Sequence, residues 1–135
     1  MNAFSINSEE IANLLVESRL NGIEISVLLM DREFFSADVI KKLIKIKQKF
    51  IVPCKNTPRI KMALKEYEKN ERGAVSAYSF EDDGESVNFT IVILPKAKPF
   101  SERPEDRYMA FATNLQDALW NILNVPEEYR KRWGI

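Results

Sequence analysis

A chain of 135 residues, 45% of them hydrophobic and few of them Gly or Pro, is long enough to bury one core and too apolar for a disordered segment. Twenty Lys and Arg balance twenty Asp and Glu, so the molecule as a whole does not advertise a polyanion partner. The absence of histidine excludes His-based nucleophile activation and His-ligated metals, and a single cysteine, Cys54, excludes an intrachain disulfide and fits a reducing compartment.

Met1 to Ser8 lacks a basic leader and an apolar core, so no signal peptide is expected and a cytoplasmic location is. No apolar run reaches the roughly 20 residues a membrane span needs. Asn7 is placed to cap a helix over Ser8–Leu20, with Glu10 reaching back and Ile6 stapling to Ile11. Ile11, Leu14 and Leu15 keep helical spacing, and Gly22 is a natural terminator. A buried strand is expected over Ile23–Met30, ending at Asp31. Acids at the carboxyl ends of strands in open α/β sheets sit where ligands and catalytic groups gather, although Asp31 could equally cap a turn.

Ser36 offers a second N-cap, for a helix over Ala37–Lys47 with an apolar stripe of Val39, Ile40, Leu43 and Ile44. Phe50–Val52 reads as a short buried strand stopped by Pro53, and helix, strand, helix, strand in this order implies a right-handed crossover and a parallel pair. A helix is expected over Arg59–Asn70. Ala74–Phe80 and Val87–Leu94 read as an antiparallel hairpin joined by a turn with Asp-Gly chemistry, lying against or extending the sheet. Pro95–Arg107 reads as a surface loop and Tyr108–Thr113 as another strand. Asn114 is expected to cap a helix over Leu115–Leu123, and Pro126 to begin a last helix that looks cut short at Gly134-Ile135.

Charge is unevenly spread. From Val39 to Lys65 there are nine Lys or Arg and no acid, whereas from Glu66 to Asp106 acids outnumber bases ten to five. The basic segment can attract phosphate, or it can be a solvated helix face. Arg130, Lys131 and Arg132 can contact phosphate or complement the negative end of a helix dipole. Phe34, Phe35 and Trp133 read as core anchors, and Cys54 as a small buried residue with no base to activate it.

Two separated stretches carry a resemblance. One is Leu29-Met30-Asp31-Arg32-Glu33-Phe34-Phe35-Ser36 with the following Phe50-Ile51-Val52-Pro53; the other is Phe111-Ala112-Thr113-Asn114, then Tyr129-Arg130-Lys131-Arg132-Trp133-Gly134-Ile135. In this order they resemble the catalytic domain of insertion-sequence DDE transposases, in the group with a Tyr-x-x-Arg-x-x-x-Glu signature. The resemblance covers nearly the whole chain. It implies a single partial RNase H-like domain over 1–135: a mixed α/β sheet with a parallel core pair, flanked by helices and carrying a β-rich insertion at about 71–107. It also implies DNA cutting and joining by phosphoryl transfer, with Mg²⁺ or Mn²⁺ held by carboxylates.

Residue by residue, Asp31 matches the family's second acid and would be a catalytic and metal-binding carboxylate. Tyr129 and Arg132 match the conserved pair on the last helix, three apart on one face. Two departures count. The position that would carry the glutamate follows Ile135, and no upstream acid among Glu9, Glu10, Glu17 and Glu24 ends an apolar strand. With one of three ligands present, the expectation is a truncated or decayed transposase that is inactive alone and does not hold the metal by itself. The alternative is a non-enzymatic module that binds DNA or protein and keeps the fold. DNA binding is expected to be weak and nonspecific, through Lys41, Lys42, Lys45, Lys55, Arg59 and Lys61. A sheet edge left unprotected invites a homo-oligomer, and Asp31 is expected to lie close to Tyr129 and Arg132 and to pair with Arg132.

Overall fold

The structure, a computed structural model, describes residues 8–22 and 26–135. Its elements run α1 (Ser8–Leu20), β1 (Val27–Leu29), a 3₁₀ turn (Arg32–Phe34), α2 (Ala37–Lys45), β2 (Lys49–Pro53), α3 (Pro58–Glu68), β3 (Val75–Asp82), β4 (Glu85–Pro95), α4 (Pro104–Arg107), β5 (Tyr108–Thr113), α5 (Ala118–Leu123) and α6 (Glu127–Trp133). The strands form one five-stranded sheet in the order β1-β2-β5-β4-β3. Only β1 and β2 are parallel; every other neighbouring pair is antiparallel. The proposed caps at Asn7 and the staple from Ile6 lie outside the described residues, as does the start of the strand expected from Ile23.

Period-two alternation sorts the side chains into two cores. Phe50 and Val52 of β2, Phe89, Ile91 and Ile93 of β4, and Ala110 and Ala112 of β5 face α1, α2 and α3. Ile51, Val92, Leu94, Met109 and Phe111 face the other way, onto α5 and α6. The strands in the middle of the sheet are thus covered on both faces, which explains their continuous apolar runs. Among the described residues no helix is long and apolar enough to cross a membrane.

Local chemistry shapes the boundaries. The Ser36 hydroxyl accepts the Val39 N–H at 3.2 Å, and the Thr57 hydroxyl accepts that of Ile60 at 3.3 Å, so both caps work as side-chain acceptors. The hairpin turns at Asp83 and Gly84, both at positive φ, which gives the tight two-residue loop that suits strand twist. It extends the sheet, with β4 paired to β5 and β3 outermost.

Two expectations are corrected. Asn114 does not cap a helix: its Oδ1 accepts the Phe50 N–H and its Nδ2 donates to the Gln48 carbonyl, both at 3.0 Å. It continues β5 against the start of β2 with a side chain, and the helix begins only at Ala118, after Asp117 at φ 50°. The last turn of α6 ends at Gly134, at φ 78°, and the Ile135 N–H donates back to the Arg130 carbonyl at 3.0 Å. The loop after β4 is not featureless: it contains α4, and the buried Asp106 accepts from the Ser101 hydroxyl at 2.6 Å and from Arg103 Nε at 2.9 Å. Those bonds hold the Asp106 carboxyl below its ordinary range, the Ser101 hydroxyl contributing most.

Candidate functional site

The site forms where the parallel pair ends. The β1 ladder continues through Met30, whose N–H donates to the Ile51 carbonyl at 3.0 Å, and the chain then leaves the sheet at Asp31. The Asp31 carbonyl accepts the Phe34 N–H at 3.0 Å, which starts the 3₁₀ turn. Its carboxylate makes no capping bond, so the turn uses the main chain and the side chain remains available.

The other half comes from α6. Trp133 is buried against Phe111, ring centroids 5.4 Å apart, and against Tyr129 at 5.5 Å. That anchor presses the helix onto the second core and sets the height of Arg132. Arg132 Nη2 donates to both Asp31 oxygens, at 2.6 and 2.5 Å, across 101 residues of sequence. Its guanidinium lies 5.4 Å from the Tyr129 ring centroid. Asp31, Tyr129 and Arg132 therefore lie around one groove, the arrangement that the resemblance leads one to expect. Beside them opens an apolar groove of about 210 Å³, walled by Ile11, Leu14, Leu28, Met30 and Phe34.

The pair is half-exposed, with side-chain exposures of 51% for Arg132 and 37% for Asp31. A pair this wet is worth at most about 1 kcal/mol. Both carboxylate oxygens already take N–H from a cation, and among the described residues no group of three His, Cys, Asp or Glu is placed to hold an ion. Cys54, just past β2, is buried; that burial pushes its thiol far above the ordinary range, with nearby Arg32 opposing only in part. It offers no thiolate nucleophile.

The six cations expected to bind DNA differ in what they already touch. Lys41 Nζ lies 3.1 Å from Asp82 and 3.7 Å from Glu85, and Lys45 Nζ lies 3.4 Å from Glu85, so the hairpin's acids compensate them. Lys42 is half-buried on the same helix. Arg59 donates to the Ser79 carbonyl at 2.7 Å and stacks 4.3 Å from the Tyr78 ring centroid. Lys55 and Lys61 are exposed, Lys55 just past the end of β2. Lys96 and Lys98, which the sequence reading passed over as loop residues, stand instead beside Arg130 and Lys131. The signal available was a Lys-Ala-Lys directly after a buried strand.

No family model, curated protein or solved structure matches this chain.

Proposed function

We propose that the chain is a transposase-derived domain with an RNase H-like fold, one that does not cut or join DNA by itself. The observation that carries this reading is the contact of Arg132 with both oxygens of Asp31, at the carboxyl end of the parallel pair. The resemblance calls for a carboxylate at that strand end and for a Tyr and an Arg three apart on the last helix. In a metal-dependent phosphoryl-transfer site that carboxylate turns toward cations bridging the attacking and leaving oxygens. Here a guanidinium takes the place of those cations. It supplies positive charge and two hydrogen bonds, but no ligand exchange and no activated water. Among the described residues no group of three His, Cys, Asp or Glu is placed to hold an ion.

Chemistry at this end of the sheet is then limited to binding and orientation. The test is incubation of supercoiled and linear DNA with Mn²⁺ or Mg²⁺, for the wild type and for Asp31→Ala. Neither protein is expected to nick or join DNA. Nicking by the wild type that disappears in Asp31→Ala would overturn the proposal and restore Asp31 as a metal ligand.

A further inference from the structure

The sheet end that carries Asp31 also carries a second cleft, of about 400 Å³. One wall is the loop after β4, with Lys96 and Lys98; the other is the last turn of α6, with Arg130 and Lys131. Backbone bonds fix both walls. The Lys96 N–H donates to the Arg107 carbonyl and the Ala97 N–H to the Gly134 carbonyl, each at 2.8 Å. Gly134 offers that carbonyl because its positive φ turns the chain out of the helix.

The charge in this cleft is only partly compensated: the Asp106 carboxylate, which Lys96 helps to hold below its ordinary range, lies near Lys96 but makes no ion pair with it. Among the described residues no carboxylate lies within ion-pair distance of Lys96, Lys98 or Arg130, and Lys131 reaches only Glu127, at 3.4 Å on an exposed surface. Such a pair holds its partner weakly. Cations gathered in a concave site focus positive potential and raise the local concentration of anions. Lys96 Nζ also lies 5.3 Å from the centroid of the Phe100 ring, and Phe100 is 71% exposed. A cationic groove with an open aromatic face beside it is how proteins hold single strands without reading their sequence.

We propose that this cleft binds the backbone of a single nucleic-acid strand, with Lys96, Lys98, Arg130 and Lys131 on phosphates and Phe100 stacked on a base. The choice of nucleic acid over an acidic peptide rests on the exposed ring and on the functional reading above. The cationic character of the cleft rests on neither.

The experiment uses the full chain, a fluorescent oligothymidylate and EDTA, with anisotropy read over a range of salt. The wild type should bind, with an affinity that falls steeply as salt rises. Lys98→Glu with Arg130→Glu should weaken binding at least about tenfold, and removing two phosphate contacts should flatten the log–log salt slope by about 1.4. Lys98→Gln with Arg130→Gln should shift both quantities the same way by less, which guards against misfolding of the charge-reversed form. Phe100→Ala should lower affinity and leave the slope alone. Lys41→Gln with Lys45→Gln should bind as the wild type does. Cleft variants that bind as the wild type does, or an equal loss in the Lys41/Lys45 variant, would overturn the proposal. Displacement by polyglutamate at equal charge concentration would overturn it in favour of an acidic peptide. EDTA keeps this test separate from the cleavage assay: failure of the cleft leaves the assignment of Asp31 untouched, and metal-dependent nicking leaves the cleft untouched.

Discussion

At the end of the sheet where β2 begins and β5 stops, polar groups are answered from within the chain. Asn114 and Thr113 take up the N–H and carbonyl of Phe50, and Lys41 and Lys45 meet Asp82 and Glu85 of the hairpin. At the other end, where β1, β2 and β4 finish, Lys96, Lys98 and Arg130 make no ion pair among the described residues, Lys96 having only the more distant Asp106, and Asp31 is held only by a half-exposed arginine. The two ends differ in pairing more than in charge. A lysine-rich helix reads as the basic surface in one dimension, yet its field is spent on acids about forty residues further on. A local excess of positive charge becomes a candidate binding surface only where the fold leaves it unanswered.

The largest effect that would break this comparison comes from Trp133, an apolar anchor of the open end. Trp133→Ala should cost about 3–5 kcal/mol, because it empties the contact between α6 and Phe111. Trp133→Phe should cost under about 1.5 kcal/mol, since it keeps most of the ring volume and removes an indole N–H that has no partner among the described residues. Urea unfolding of both variants checks the pair. Equal losses would mean that the indole N–H matters and that the anchor is not chiefly apolar.

Asn114→Ala tests the closed end. It strands the Phe50 N–H and the Gln48 carbonyl at the start of a buried strand, and about 1–3 kcal/mol should be lost. Were Asn114 a helix cap instead, Asn114→Ser would rescue most of the loss. Here it should not, because a serine hydroxyl is too short to reach both backbone groups. Thermal or urea melts of the two variants decide.

The smallest stability effect should come from the Asp31–Arg132 pair. A double-mutant cycle with Asp31→Ala and Arg132→Ala should give a coupling below about 1 kcal/mol, shrinking as salt rises. A coupling several times larger would mean that the pair is a structural staple.

The two ends should also part in their pH response. Lys41 is raised above its ordinary 10.5, first by its hydrogen bond to Asp82 and then by the neighbouring acids. Its contribution is fully present below that value and is lost as pH rises through the higher folded value. Asp106, near the open end, is lowered from 3.8, so its contribution is present above that value and is lost as pH falls through the lower folded one. Lys41→Gln should therefore flatten the alkaline limb of the stability profile and Ser101→Ala the acid limb, each leaving the other limb in place.

Much of this is legible along the chain because it is local. The apolar run of Tyr108–Thr113 marks a strand, Ser36 announces a helix start, and Asp83-Gly84 announces a tight hairpin; each needs only neighbouring residues and backbone sterics. The pairing of Asp31 with Arg132 was expected from the family resemblance; periodicity by itself placed Asp31 at a strand end and Tyr129 and Arg132 on one helix face. What the tertiary structure alone decided is which distant groups answer one another. The placement of β5 between β2 and β4 turned Asn114 from a cap into a strand's partner. The return of the hairpin past α2 neutralised Lys41 and Lys45. The closure of α6 at Gly134 brought Lys96 and Lys98 to Arg130 and Lys131. Each depends on register and strand order, set by burying both faces of the sheet at once, and a one-dimensional pattern of hydrophobicity and charge leaves several such orders open.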